Sequence, residues 1–153
     1  MNLLGEEEYV KTMNLAPVSE DPGMKENRIG EVVVDSAVKV HQALGPGLHE
    51  YVYELILERE LKNRGFIVER QAPVPVEYEG IWFSEGFRAD LLVEGRVILE
   101  LKSVEKLNKV HHKQLFTYLK LRKLKVGFLL NFGVVQMKDG IFRINNGLDD
   151  EKG

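Results

Sequence analysis

The chain has 153 residues, a formal net charge of −3, 44% hydrophobic and 29% charged residues, and no cysteine. That is the length of one domain with an ordinary globular composition, which excludes wholesale disorder, a disulfide framework, a thiol nucleophile and a cysteine zinc site. No apolar stretch approaches the roughly 18 residues that span a bilayer, and no basic and apolar leader opens the chain, so the expected setting is the cytoplasm.

Residues 1–25 lack a sustained period and hold Pro17, Pro22 and Gly23 among acids, which predicts a flexible N-terminal arm. Ile29, Val33, Ala37, Val40 and Leu44 follow a 3.6-residue stripe and predict a first helix, stopped by Gly45-Pro46-Gly47. A second helix is expected from about Leu48 to Arg64, on a stripe of Leu48, Val52, Leu55 or Ile56, and Leu61, with Glu50 in its first turn. β-type patterning follows at Phe66 to Glu69 and at Val74, Val76 and Tyr78, where Pro73 and Pro75 suggest an edge strand. Two further strands, Phe87 to Val93 and Arg96 to Ser103, are joined at Glu94-Gly95. Asn108 is the expected N-cap of a third helix running to about Arg122. Strands at Val126 to Phe132 and Ile141 to Ile144 complete the order ααβββαββ, an α/β domain over residues 26–146 with a mixed central sheet flanked by helices, and residues 147–153 form a polar tail.

Charge is unevenly spread. From Lys102 to Lys125 there are eight Lys or Arg against one acid, Glu105. A local basic surface on a mildly acidic protein is an electrostatic footprint for nucleic acid, although a solvated helix face has the same composition.

The motifs of several chemistries are missing. Gly45-Pro46-Gly47 continues as Leu48-His49-Glu50 rather than Gly-Lys-Ser, the histidines do not form HExxH, and no serine sits in a GxSxG elbow. What remains is a set of carboxylates around one lysine. Glu100 and Lys102 are two apart on a strand and share a face. Asp90, on the preceding strand, opposes Glu100 only if the connection has an odd number of residues or a bulge near Gly95, because a two-residue turn turns it to the other face. With that register, two carboxylates and an ammonium converge, and all-oxygen ligation suits Mg²⁺ or Mn²⁺. Such an ion acidifies water and stabilises charge growing on a phosphoryl oxygen. Gln114 and Tyr118, four apart on the third helix, present one face just downstream.

These residues carry a resemblance. Gly47-Leu48-His49-Glu50-Tyr51-Val52-Tyr53 resembles the signature of the GxxExxY family, which is placed in the PD-(D/E)xK nuclease superfamily. Phe87 to Val93, Ile98 to Ser103, Gln114 through Tyr118 and Lys125 to Gly133 are similar to that family as well. The resemblance implies a restriction-endonuclease-like core. It makes Asp90 and Glu100 metal ligands together with the Leu101 carbonyl, and Lys102 the catalytic lysine. Glu50 matches a helix acid near the metal, and Gln114 and Tyr118 match a QxxxY element. Ala89 stands where the superfamily name has proline.

The expectation is a Mg²⁺- or Mn²⁺-dependent nuclease hydrolysing phosphodiester bonds, of DNA ahead of RNA. Asp90, Glu100, Lys102, Gln114 and Tyr118 are its catalytic residues, and Glu50, Asp90, Glu100 and Leu101 its metal set. Lys106, Lys109, Lys113, Lys120 and Lys123 are candidates for nucleic-acid backbone contacts. A nuclease-fold module without catalysis, binding nucleic acid or a protein partner, is the alternative. No membrane partner is expected, and a homodimer is left open.

Overall fold

A computed structural model describes residues 25–147. Apart from Lys25 and Gly147, the arm expected at 1–25 and the tail expected at 147–153 lie outside the described residues. Helices α1 (Glu26–Leu44) and α2 (Glu50–Asn63) precede strands β1 (Val68–Tyr78), β2 (Ile81–Val93) and β3 (Val97–Lys102). Helix α3 (Lys109–Arg122) then leads to β4 (Val126–Asn131), a 3₁₀ turn at Met137–Gly140, and β5 (Ile141–Asn145). The five strands lie in chain order, antiparallel throughout except for the parallel pair β3 and β4. Only that pair needs a crossover, and α3 supplies it.

The sheet separates two apolar clusters. Val97, Leu99 and Leu101 of β3 pack with Ile29, Val33, Ala37 and Val40 of α1 and with Tyr53, Leu57 and Leu61 of α2. Ile98 of β3 faces the other way, with Leu115, Tyr118 and Leu119 of α3. The predicted α1 stripe is the buried one. On α2 the prediction is corrected: Leu48 is exposed, and the buried line is Tyr53, Glu54, Leu57 and Leu61. Tyr53 sets that rotation, since its ring stacks on Phe132 with centroids 4.5 Å apart.

One strand boundary is corrected as well: β1 runs unbroken through both predicted β-type patches, and β2 begins at Ile81 rather than Phe87, through a turn with left-handed Glu79 and Gly80. The prolines of β1 are tolerated because it is an edge strand, with an irregularity between Val74 and Val76. Both strands change faces at one rung. Val68 and Leu91 belong to the α1–α2 side, while Ala72, Val74, Ala89 and Leu92 all face α3. The slip falls at Gln71, whose φ is 55°, and at its register partner Asp90.

The connection from β3 to α3 is held by Asn131, which is 2% exposed. Its Oδ1 accepts from Val104 N at 3.1 Å and Gly133 N at 3.0 Å, and its Nδ2 donates to Val104 O at 2.9 Å. Gly133 is required there because a Cβ would collide with the Val104 backbone. Asn131→Ala leaves these backbone groups unpartnered in a buried place, so unfolding free energy should drop by about 2 kcal/mol in a urea titration; an unchanged midpoint would show that the loop does not depend on this side chain.

Candidate active site

The connection between β2 and β3 has three residues, Glu94, Gly95 and Arg96, with φ of 54° and 64° at the first two. Leu91 pairs with Leu99 and Val93 with Val97, so the same register sets Asp90 opposite Glu100. Two bonds then link the acids across the strands. The Asp90 N–H donates to Glu100 Oε1 at 3.1 Å, and the Leu101 N–H donates to Asp90 Oδ2 at 2.8 Å. Glu100 is only 7% exposed. Burial and the neighbouring Asp90 push its carboxyl well above the usual range, and burial also raises Asp90, against the Leu101 N–H and the Lys102 charge.

Two residues not expected at the site complete it. Glu54, 5% exposed on α2, accepts from Gln71 Nε2 at 2.6 Å and from Arg70 at 3.3 Å. Gln71 Nε2 also lies 3.4 Å from Asp90 Oδ1, so one carboxamide spans both acids. Burial and Asp90 raise the Glu54 carboxyl. The i, i+4 spacing of Glu50 and Glu54 was visible in the sequence, whereas the bridging geometry of Gln71 depends on its left-handed backbone.

Lys102 is half-buried and favours the charged form of both acids, with no ion pair to either among the described residues. Glu50 is half-buried at the start of α2, and its charge reaches Asp90 and His111. His111, in the first turn of α3, is held low by burial and by Lys102. Tyr118 is buried with its ring 5.0 Å from that of Phe87, and burial, Glu100 and Asp90 push its hydroxyl up to about 12. Gln114, one turn earlier, is half-buried.

The loop before α2 is tied to this place from two sides. The Tyr53 hydroxyl donates to Gly45 O and accepts from Leu48 N at 3.1 Å. Ser103, next to Lys102, donates to Leu48 O at 2.6 Å. Gly47, at φ 97°, makes the turn that an L side chain would resist. His49 then caps α2 and sets Glu50 at its first position.

Lys106, Lys109, Lys113, Lys120 and Lys123 are all exposed. At about 100° per residue, however, Lys109 and Lys120 lie roughly 160–180° around α3 from Tyr118. The structure brings Asp90, Glu100, Leu101 and Lys102 together with Glu50 and Tyr118, leaves Gln114 one turn from Tyr118 on α3 with no bond to the acids among the described residues, and turns the α3 lysines outward.

Among the described residues no three His, Asp or Glu side chains can hold a metal ion by themselves. The donor set still suits a hard divalent ion. Asp90 and Glu100 each keep one oxygen free of the backbone bonds, and the Leu101 carbonyl faces the same strand edge as its N–H. Mg²⁺ is commonly held by one or two carboxylates, with waters and substrate phosphate completing the shell.

Residues 27–144 match a family model described as the PD-(D/E)XK nuclease superfamily. No curated protein and no solved structure matches the chain. No helix among the described residues is long and apolar enough to cross a membrane.

Because burial and Asp90 raise the Glu100 carboxyl above its value in the unfolded chain, stability without divalent ions falls as pH rises above the ordinary glutamate value of about 4.3. Glu100→Gln removes that titration. In EDTA its melting temperature should exceed wild type at pH 8 and converge with it at pH 4; a wild-type advantage at pH 8 would contradict the assignment.

Proposed function

The chain belongs to the PD-(D/E)XK nuclease superfamily, and from that premise we propose that it hydrolyses phosphodiester bonds of nucleic acid, DNA ahead of RNA, at Asp90 and Glu100, in the cytoplasm and with Mg²⁺ or Mn²⁺ as cofactor. The observation that carries this reading is the pair itself: two desolvated carboxylates on neighbouring strands, each bonded through one oxygen to a backbone N–H and keeping the other clear of the backbone. Burying two negative charges together is costly unless a cation neutralises them.

Asp90, Glu100 and the Leu101 carbonyl would hold the ion, which when bound would supply Lewis-acid stabilisation of charge on the phosphoryl group and a lowered pKa for water. Lys102 shares the Glu100 face, where its ammonium orients the attacking water and offsets charge on the phosphoryl oxygens. Tyr118 stays protonated through the neutral range, so its hydroxyl is a donor for a phosphate oxygen. Gln114 adds a carboxamide on the same side of α3. Glu50 adds negative charge that reaches Asp90, and Gln71 bridges Glu54 and Asp90 through one carboxamide.

Within the superfamily we assign the chain to the GxxExxY proteins. Support comes from the work its three motif residues do: Gly47 turns the loop, Tyr53 ties it down, and Glu50 opens the helix toward the acids. A second reading, a module that binds nucleic acid or a protein partner without cleaving, is favoured by one observation, the ligand set of only two side chains. Salt-dependent binding with no divalent-dependent cleavage would select it.

Asp90→Ala and Glu100→Ala should abolish Mn²⁺-dependent cleavage of plasmid and oligonucleotide DNA with an unchanged circular dichroism spectrum. Lys102→Ala should lower kcat by about 100- to 1,000-fold. Wild-type rates in the Glu100 variant would remove the nuclease reading. A rise in melting temperature with Mn²⁺ should accompany activity and vanish in Asp90→Ala, since a ligand selective for the folded state raises the midpoint.

A further inference from the structure

A line of exposed rings and cations runs from β5 along the outer side of α3. The His112 ring meets Phe142 edge-on with centroids 5.1 Å apart. Phe116 follows His112 by one turn, and Lys120 follows by another, its ammonium 5.7 Å from the Phe116 ring centre. Phe116 is 40% exposed and Phe142 37%. Both stand outside the buried apolar clusters. Lys109 and Lys113 flank the line and are exposed. Rings interleaved with ammonium groups offer stacking faces to unpaired bases and charge to their phosphates.

The placement adds a constraint. Phe116 lies roughly 160° around the helix from Tyr118, at about 100° per residue. A ligand touching both this line and the acids must turn around a helix about 10 Å thick. Duplex DNA, with a persistence length of about 150 base pairs, resists such a turn, whereas a single strand makes it readily. A second copy of the chain fits the line poorly, because lysines would oppose lysines and Lys is depleted in protein interfaces.

We propose that Phe142, His112, Phe116 and Lys120 form a track for single-stranded nucleic acid, the unpaired part of a substrate whose cut falls at the carboxylate pair. The choice of ligand rests on the nuclease reading. The test is fluorescence anisotropy of the full chain in EDTA, with a labelled oligothymidylate of about 20 residues and a blunt duplex of about 20 base pairs, both longer than the roughly 4–16 nucleotides that one single-strand-binding fold covers. The single strand should bind more tightly than the duplex. Phe116→Ala and Phe142→Ala should each weaken it by about 5- to 150-fold, with duplex binding changed less than about twofold. Phe116→Tyr, which keeps a ring, should retain affinity. Unchanged single-strand binding in a folded Phe116→Ala protein would overturn the track, as would equal losses on both ligands. A wild-type dimer that Phe116→Ala dissociates, seen by sedimentation, would overturn it in favour of a protein interface. Loss of the track with Glu100-dependent cleavage intact spares the nuclease; ring-dependent binding in a protein that cuts nothing in Mn²⁺ spares only the track.

Discussion

Asp90 and Glu100 occupy one volume from which water is largely withdrawn, and most of the polar architecture around them answers to that fact. Each carboxylate takes a backbone N–H from the other's strand, at 3.1 and 2.8 Å. Those two bonds require one register, and the three-residue connection at Glu94–Arg96 sets it. A two-residue turn would send Asp90 to the opposite face with every other side chain of the strand. Glu54 and Gln71 extend the arrangement, adding a third carboxylate and the only carboxamide that contacts two of the acids among the described residues. Gln71 does so from a left-handed backbone, at φ 55°.

Two loops flank this pair, and each is fastened by a single buried or half-buried side chain from elsewhere. Tyr53 holds the loop before α2 through its hydroxyl while its ring stays in the core against Phe132. Asn131 holds the segment after Lys102 through three backbone bonds, and Gly133 and Ser103 complete the two attachments. A site built this way keeps its geometry because the fastening residues have no freedom to move independently of the core.

Helix α3 is polar in two senses. Its inner side carries His111 and Tyr118, which feel the charges of the acids, with Leu115 and Leu119 buried beside them. Its outer side carries Lys109, Lys113, Phe116 and Lys120. The capping box between Asn108 and His111 ties the register of both sides to one starting point. The side chains nearest the carboxylate pair and the exposed cations thus sit on opposite sides of one element.

The order of elements, the mixed sheet and the α1 stripe were legible in the sequence because they rest on local periodicity and on strong stops such as Gly45 and Gly65. So was the condition on the Asp90 register, as a parity argument on the Glu94–Arg96 connection. Its answer was not legible, because the turn conformation depends on left-handed Glu94 and on the Ile67 backbone that engages it. The buried face of α2 was misplaced by about one residue, since Leu48 and Val52 look as apolar as Leu57 and only the Tyr53 stack decides among them. The roles of Glu54 and Gln71 and the outward aim of the lysines needed the packed molecule. Residue type and spacing determine which groups are available and which face of an element they share; which faces meet is decided only when distant segments compete for the same core.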